Sequence, residues 1–198
     1  MSDELNLQEK DKYIQLYKDV DNYYKNHWSN GYSGYGQVNH GKNANTDLLS
    51  FSPNSLLDVG CGDGKFCIQA FNLGIQNVYG IDIASVATNS TIQHPNIKYF
   101  DGFSHNLPFD DNFVDVITSF DVLEHCLEKD IKKTVSEFHR VCIKGLVMKI
   151  AYRQATENFK GTPVHMTVKP ESWWIEQFSD GFSCSVSKHG YIVCKKLI

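Results

Sequence analysis

The chain has 198 residues, 41% of them apolar and 21% charged, the proportions of a folded protein with a sizeable core. Its formal net charge of −4 at pH 7 argues against a broad nucleic-acid footprint, which calls for a basic surface. No apolar run is long enough to cross a membrane, and the polar, acidic opening MSDELNLQEKDK argues against a secretory leader.

Residues 7–26 read as an amphipathic helix. Tyr13, Ile14, Tyr17, Val20 and Tyr24 recur at three- and four-residue steps, and Asn6 with Glu9 resembles a capping box. Residues 27–43, HWSNGYSGYGQVNHGKN, are too irregular and glycine-rich for a helix or strand. Within them Trp28, Tyr32 and Tyr35 form a candidate aromatic lid. A short helix over 45–51 leads to a first strand at 56–59. The stretch SLLDVGCGDGKFC then breaks into glycines at 60, 62 and 64. Phe66, Cys67, Ala70 and Phe71 mark one face of a helix closed by Gly74. The strand NVYGID ends at Asp82, and a helix over 84–93 and the strand IKYF follow. FVDVITSF, residues 113–120, is a fourth strand. Leu127, Ile131, Val135 and Phe138 form a helical stripe, and GLVMKIAY is a fifth strand. Pro170 opens a short helix carrying Trp173, Trp174 and Phe178. FSCSVS and YIVCKK, separated by KHG, read as a closing hairpin.

Strands thus alternate with helices until the last hairpin. The pattern predicts an α/β fold with a mostly parallel sheet covered on both faces and an antiparallel pair at one end. In such sheets the ligand lies beyond the carboxyl ends of the strands, at the switch point. The chain is expected to form one domain over 1–198. It divides into an N-terminal helical and lid segment (1–52), a ligand-binding core (53–150), and a substrate-side segment with the closing hairpin (151–198). Six cysteines (Cys61, Cys67, Cys126, Cys142, Cys184 and Cys194) form no C-x-x-C pair, and most sit in apolar segments. They are expected as buried free thiols in a reducing compartment.

The glycine turn is G-x-G-x-G, and Lys65 stands where a dinucleotide fingerprint carries its third glycine. Asp63 inside the turn would repel a pyrophosphate on the helix N-terminus. There is no G-K-[ST], so the turn is no P-loop. The spacing predicts a nucleoside ligand without phosphates. Asp82, about twenty residues past the glycines, can accept both hydrogen bonds of a ribose diol.

LLDVGCGDG, VYGIDI and LPFDDNFVDVITSFDVLEH resemble, in this order over residues 54–150, the motifs of class I S-adenosylmethionine-dependent methyltransferases. The similarity is to the small-molecule group with a methyltransferase type 11 domain. The resemblance implies a Rossmann-like seven-stranded, mostly parallel sheet with a C-terminal antiparallel hairpin, and S-adenosyl-L-methionine as cofactor. Carried over residue by residue, Asp58 would orient the methionine amino group. The backbone of Gly60, Cys61 and Gly62 would approach the methionine and ribose portions. Asp82 would take the ribose hydroxyls, Ile83 would pack on adenine, and the backbone of Phe120 would lie near the amino-acid part. The family often has an acid for the adenine amine four positions before the Leu of LPF. That position is Phe103 here, and Asp101, two residues earlier, is the candidate replacement.

A sulfonium methyl is electrophilic, so positioning a nucleophile in line supplies much of the catalysis. A hydroxyl acceptor must also lose its proton. His125, just past the fourth strand, is the first candidate base, and the nearby sulfonium would keep its ring neutral. His165, in GTPVHMTVKP, is the second. Glu124 precedes His125, but neighbours on a helix do not face each other. No metal is expected, because no cysteine–histidine ligand spacing occurs. A Pro-Pro-aromatic motif and a Pro-Cys nucleophile are both missing, which argues against nucleic-acid methylation. The small polar acceptor expected instead is a carbohydrate, since compact enzymes with an ending similar to HMTVKPESWW often modify sugars of surface polysaccharides. The reading is cytoplasmic O-methylation of a sugar or other small hydroxyl, with a homodimer as a candidate assembly. The alternatives are N- or O-methylation of another small metabolite, or a non-catalytic cofactor-binding subunit.

Overall fold

A computed structural model describes residues 37–83, 94–156, 158–159 and 162–197. The expected helices at 7–26 and 84–93 and the lid aromatics Trp28, Tyr32 and Tyr35 lie outside the described residues. Helix α1 spans Gln37–Leu49, strand β1 Ser55–Val59 and helix α2 Lys65–Asn72. Strands β2 (Asn77–Asp82), β3 (Ile97–Asp101) and β4 (Val114–Phe120) follow. A 3₁₀ turn at Leu123–His125 leads into α3 (Glu128–Val141) and β5 (Cys142–Lys149). A two-residue pair, β6 (Asn158–Phe159) and β7 (Thr162–Pro163), precedes α4 (Glu171–Phe178). The hairpin of β8 (Phe182–Val186) and β9 (Ile192–Lys196) closes the sheet.

The seven strands are ordered β3-β2-β1-β4-β5-β9-β8. β1 to β5 run parallel, and β9 is antiparallel to both β5 and β8. The chain therefore starts at the centre with β1, winds outward to β3, then returns to add β4 on β1's other side. That reversal opens a crevice at the carboxyl ends of β1 and β4. The central pair is pinned by side chains. Asp115 Oδ2 accepts the amides of Asn54 and Ser55 at 2.6 and 3.2 Å, and Ser55 Oγ accepts the Asp115 amide at 2.8 Å.

Alternation along the strands makes two cores, one per face. Leu56, Val78, Val116 and Val147 pack with Ala44 and Leu48 of α1 and Phe66 and Ala70 of α2. Leu57, Ile81, Ile117 and Met148 pack with Ile131 and Phe138 of α3 and Trp174 and Phe178 of α4. β4 is buried along its whole length, as a central parallel strand between two helical layers should be. Helices thus cover both faces, as expected.

Three details differ from the sequence expectation. Helix α1 begins at Gln37, inside the stretch read as irregular, because Ala44 and Leu48 are fully buried against the sheet and packing outweighs the poor propensity of Gly41. β5 begins at Cys142, three residues early, because it pairs with β4 from Val114 onward. The cysteines also divide. Cys61, Cys67, Cys126 and Cys142 are free, whereas Cys184 and Cys194 form a disulfide. The hairpin register sets those two directly opposite with Cα atoms 4.0 Å apart, a proximity that their ten-residue separation does not reveal.

The LPF segment is held from α3. Arg140 donates to the carbonyls of Phe109 and Leu107 at 2.6 and 3.1 Å and pairs with Glu137 at 2.8 Å. Glu137 Oε2 in turn accepts the Leu107 amide at 2.8 Å. Among the described residues no helix is long and apolar enough to cross a membrane.

Candidate active site

The glycine turn sits where β1 ends. Gly60, Gly62 and Gly64 all have positive φ, at 78°, 53° and 80°. The amides of Gly60 and Cys61 donate to the Ile81 carbonyl at 2.8 and 3.1 Å, lacing the turn to the end of β2. The amide of Gly62 donates to Asp82 Oδ2 at 2.9 Å. A half-buried carboxylate is thus held against the turn from the neighbouring strand, where a ribose on the turn would meet it. Asp63 forms an ion pair with Lys65, and its Oδ1 accepts the Lys65 amide at 3.3 Å. Its negative charge is therefore partly neutralised, and repulsion of a pyrophosphate by Asp63 is weaker than the bare sequence implied.

Asp58 lies on β1, on the α2 face of the sheet, and is 2% exposed. Thr118 Oγ1 of β4 donates to Asp58 Oδ1 at 2.8 Å, and Cys67 Sγ of α2 lies 4.0 Å from Oδ2. Burial pushes the acid up to about 7, the Thr118 bond pulls it down, and the negative charge of Asp82 pushes it further up. A cation brought to Asp58 would restore the carboxylate. An amino-acid ammonium is such a cation, so the donor chemistry of this buried acid fits the methionine end of the cofactor.

The other predicted contacts lie at the same end of the sheet. Ile83 is half-buried directly after β2. Asp101 ends β3 opposite Asp82 in the strand register and is exposed. Phe103 is half-buried, bridged to Asn106 and 5.3 Å from the His105 ring. Phe120 places its ring in the core, edge-on to Phe66 and Tyr191 at 4.8 and 5.8 Å. Three further residues shape the turn and were not singled out from the sequence. They are Thr118 on Asp58, Val122 over Gly60, and Tyr99 over Gly64. Period-two alternation could have flagged Thr118 as sharing a face with the buried Val116 of β4.

His125 and His165, forty residues apart in sequence, meet edge to face with ring centroids 4.8 Å apart. The segment carrying His165 is tied to the 3₁₀ turn. The amides of Met166 and Thr167 donate to the Glu124 carbonyl at 2.8 and 2.9 Å, and Thr167 Oγ1 donates to the Cys126 carbonyl at 2.7 Å. His125 Nδ1 bonds the Val164 carbonyl at 2.9 Å, and His165 Nδ1 bonds the Arg153 carbonyl at 2.6 Å. Burial and the neighbouring His165 lower His125 to about 4, against upward contributions from the Val164 carbonyl and Asp121. The ring is therefore neutral at physiological pH.

Glu124 departs from expectation. Its side chain was set apart from His125 on helical geometry, yet one ligand-capable atom of each, and one of His165, all lie within 4.8 Å of one another. In the three-residue 3₁₀ turn neighbours leave the backbone about 120° apart, but that rule concerns Cβ directions and does not limit how near the tips of two long side chains come. Glu124 is fully buried, and its Oε1 accepts the Ala151 amide at 3.0 Å. Burial, then the Asp121 charge, pushes this acid up to about 8, while the amides that it accepts pull it down.

The strand order, the glycine turn at β1 and the acid ending β2 define the class I methyltransferase fold. Residues 57–148 match the family described as Methyltransferase domain. Residues 57–148 thus carry a methyltransferase domain with the class I fold, the domain type whose cofactor is S-adenosylmethionine. It is similar to the DhpI–SAH complex structure with a TM-score of 0.66 at 14% identity, over 91% of this chain and 95% of that one. It is similar to the PH0226 protein from Pyrococcus horikoshii OT3 with a TM-score of 0.64 at 14% identity, over 82% and 91% of the two chains. A demethylmenaquinone methyltransferase of Chlorobaculum tepidum is 29% identical over 117 residues, 58% of this chain. The chain spans 47% of that relative's length.

Proposed function

We propose that this chain transfers a methyl group to a hydroxyl of a small polar acceptor, with a sugar as first candidate. The observation that carries the reading is the His125–His165 pair, two imidazoles oriented by backbone carbonyls at the carboxyl end of the sheet, the end where such folds take their ligands. The cofactor supplies an electrophilic methyl on a sulfonium sulfur. Asp58 would receive the ammonium of its amino-acid end, Asp82 would take the ribose hydroxyls, and Asp101, opposite Asp82 in the strand register, would bond the adenine amine. Burial keeps His125 uncharged, so its ring can hold the acceptor hydroxyl and receive its proton. Polysaccharide biosynthesis is the setting that such a sugar acceptor fits.

The Chlorobaculum tepidum relative favours a second reading, a demethylated quinone as acceptor. One assay separates the two. Labelled methyl transfer is followed with neutral sugars, sugar nucleotides, small amines and a demethylated menaquinone. An O-methyl product on a sugar is the expected result, and turnover restricted to amines or to the quinone would overturn the reading.

Asp82→Ala should weaken S-adenosylmethionine binding by about 1.5–3 kcal/mol, because it removes charge-assisted hydrogen bonds to the ribose. The Gly62 amide loses its acceptor as well, so the turn loosens. Calorimetry on wild type and variant measures this, and equal affinities would remove Asp82 from the site.

A further inference from the structure

The 3₁₀ turn gathers more ligating chemistry than one proton transfer requires. Glu124, His125 and His165 come from two segments of chain, and the Met166 and Thr167 amides fix those segments to each other. A carbonyl can only accept, so the bonds to Val164 and Arg153 put the ring protons on both Nδ1 atoms and leave the lone pairs on Nε2. Backbone carbonyls orient metal-binding histidines in the same way. A second observation is independent of the histidines. Glu124 Oε1 has the Ala151 amide, but Oε2 is buried and has no hydrogen-bond partner. A buried carboxyl oxygen with no hydrogen-bond partner is costly, and each such atom calls for an explanation.

We propose that Glu124, His125 and His165 form a binding site for one divalent first-row transition-metal ion. Two imidazole nitrogens and one carboxylate oxygen suit Zn²⁺, Mn²⁺, Co²⁺ or Fe²⁺, whereas Mg²⁺ and Ca²⁺ prefer oxygen alone. Ligand bonds of about 2.0–2.2 Å need donor atoms roughly 3–4 Å apart, and one ligand-capable atom of each residue already lies within 4.8 Å of the other two. Three protein ligands leave a position open for an outside oxygen, the arrangement of catalytic rather than structural sites. The negative charge of Asp121 acts on both Glu124 and His125 and adds to the attraction for a cation.

The site stands on this geometry; only its use in catalysis rests on the hydroxyl reading above. In that use the ion occupies the His125 lone pair and replaces that ring as the activating group: the open position takes the acceptor oxygen and makes its proton easier to lose. The proton goes to solvent, an oxygen electron pair forms the new bond to the methyl carbon, and the S–CH₃ bonding pair returns to sulfur. The products are a methyl ether, a neutral thioether and one proton.

The test uses the full chain stripped with a chelator, without cofactor or acceptor. Mn²⁺, Co²⁺ and Zn²⁺ are titrated separately by calorimetry, and the Co²⁺ complex is read by its visible ligand-field bands. One ion per chain is expected. Glu124→Gln and His165→Gln should each weaken binding at least about tenfold. His189→Gln, at an exposed histidine of the hairpin, should leave it unchanged. Circular dichroism checks folding, and if Glu124→Gln fails to fold, His165→Gln on its outer segment decides. Absence of saturable binding overturns the proposal, as does equal binding by either folded ligand variant and wild type. Methyl transfer to a hydroxyl by a protein that binds no ion would overturn the metal site and leave the acceptor reading standing.

Discussion

Asp58→Asn should weaken S-adenosylmethionine binding by on the order of a hundredfold and at the same time stabilise the cofactor-free protein at pH 8. Both effects have one cause. The Asp58 carboxyl is buried, and in the empty protein it ionises only near pH 7. An unfolded aspartate ionises near 3.8, so the folded state holds this proton longer. The sign follows by linkage. Stability from the protonated group is complete below about pH 4 and is lost as pH rises to about 7. The loss is at most about 4 kcal/mol. Asparagine never ionises and escapes it. The ligand reverses the balance, because an ammonium is met by carboxylate and not by carboxylic acid. Wild-type affinity should therefore rise between pH 6 and 8, and the variant should lose that rise. Thermal unfolding and calorimetry at both pH values measure the two effects. Unchanged affinity in the variant would take Asp58 out of the cofactor site.

Gly60→Val should abolish measurable cofactor binding and destabilise the fold by roughly 3 kcal/mol or more. Gly60 has φ of 78°, which a β-branched residue adopts only under strain. A Cβ there also runs into the Val122 side chain, which the 3₁₀ turn holds in place. Two penalties thus fall on the loop that must approach the ligand. Gly74→Ala separates them. Gly74 has φ of 97°, yet a Cβ meets nothing within 4 Å, so only the backbone strain of about 1 kcal/mol remains. Denaturant unfolding of both variants gives the comparison. Similar costs for the two would mean that contact with Val122 contributes nothing.

The parallel core was legible because its evidence is local. Apolar runs such as LLDV and VDVITSF, each followed by a turn and a helical stripe, specify strand, crossover and strand without knowledge of the pairing. Asp82 was legible for the same reason, since it stands at the end of its own strand. The His165 position was legible only as an expectation about a loop. The bonds that bring it to His125 run from the Met166 and Thr167 amides to a backbone carbonyl, and any residue type can make them. Thr118 was missed because its partner Asp58 is sixty residues away. Glu124 is excluded by a rule about facing side chains, which does not limit how near their tips come. The Cys184–Cys194 bond depends on hairpin register, which spacing alone does not fix.

The pinning of β1 to β4 also bears on how the protein folds. Asn54 and Ser55 with Asp115, and Asp58 with Thr118, are joined across about sixty residues of intervening chain that includes β2, β3 and α2. Contacts of such long range form late, since loop closure must precede any gain from them. No fragment ending before β4 holds both halves of the Asp58 site. During refolding, ligand affinity should therefore emerge together with the slow docking of β4 into the sheet and not in steps with earlier helix formation.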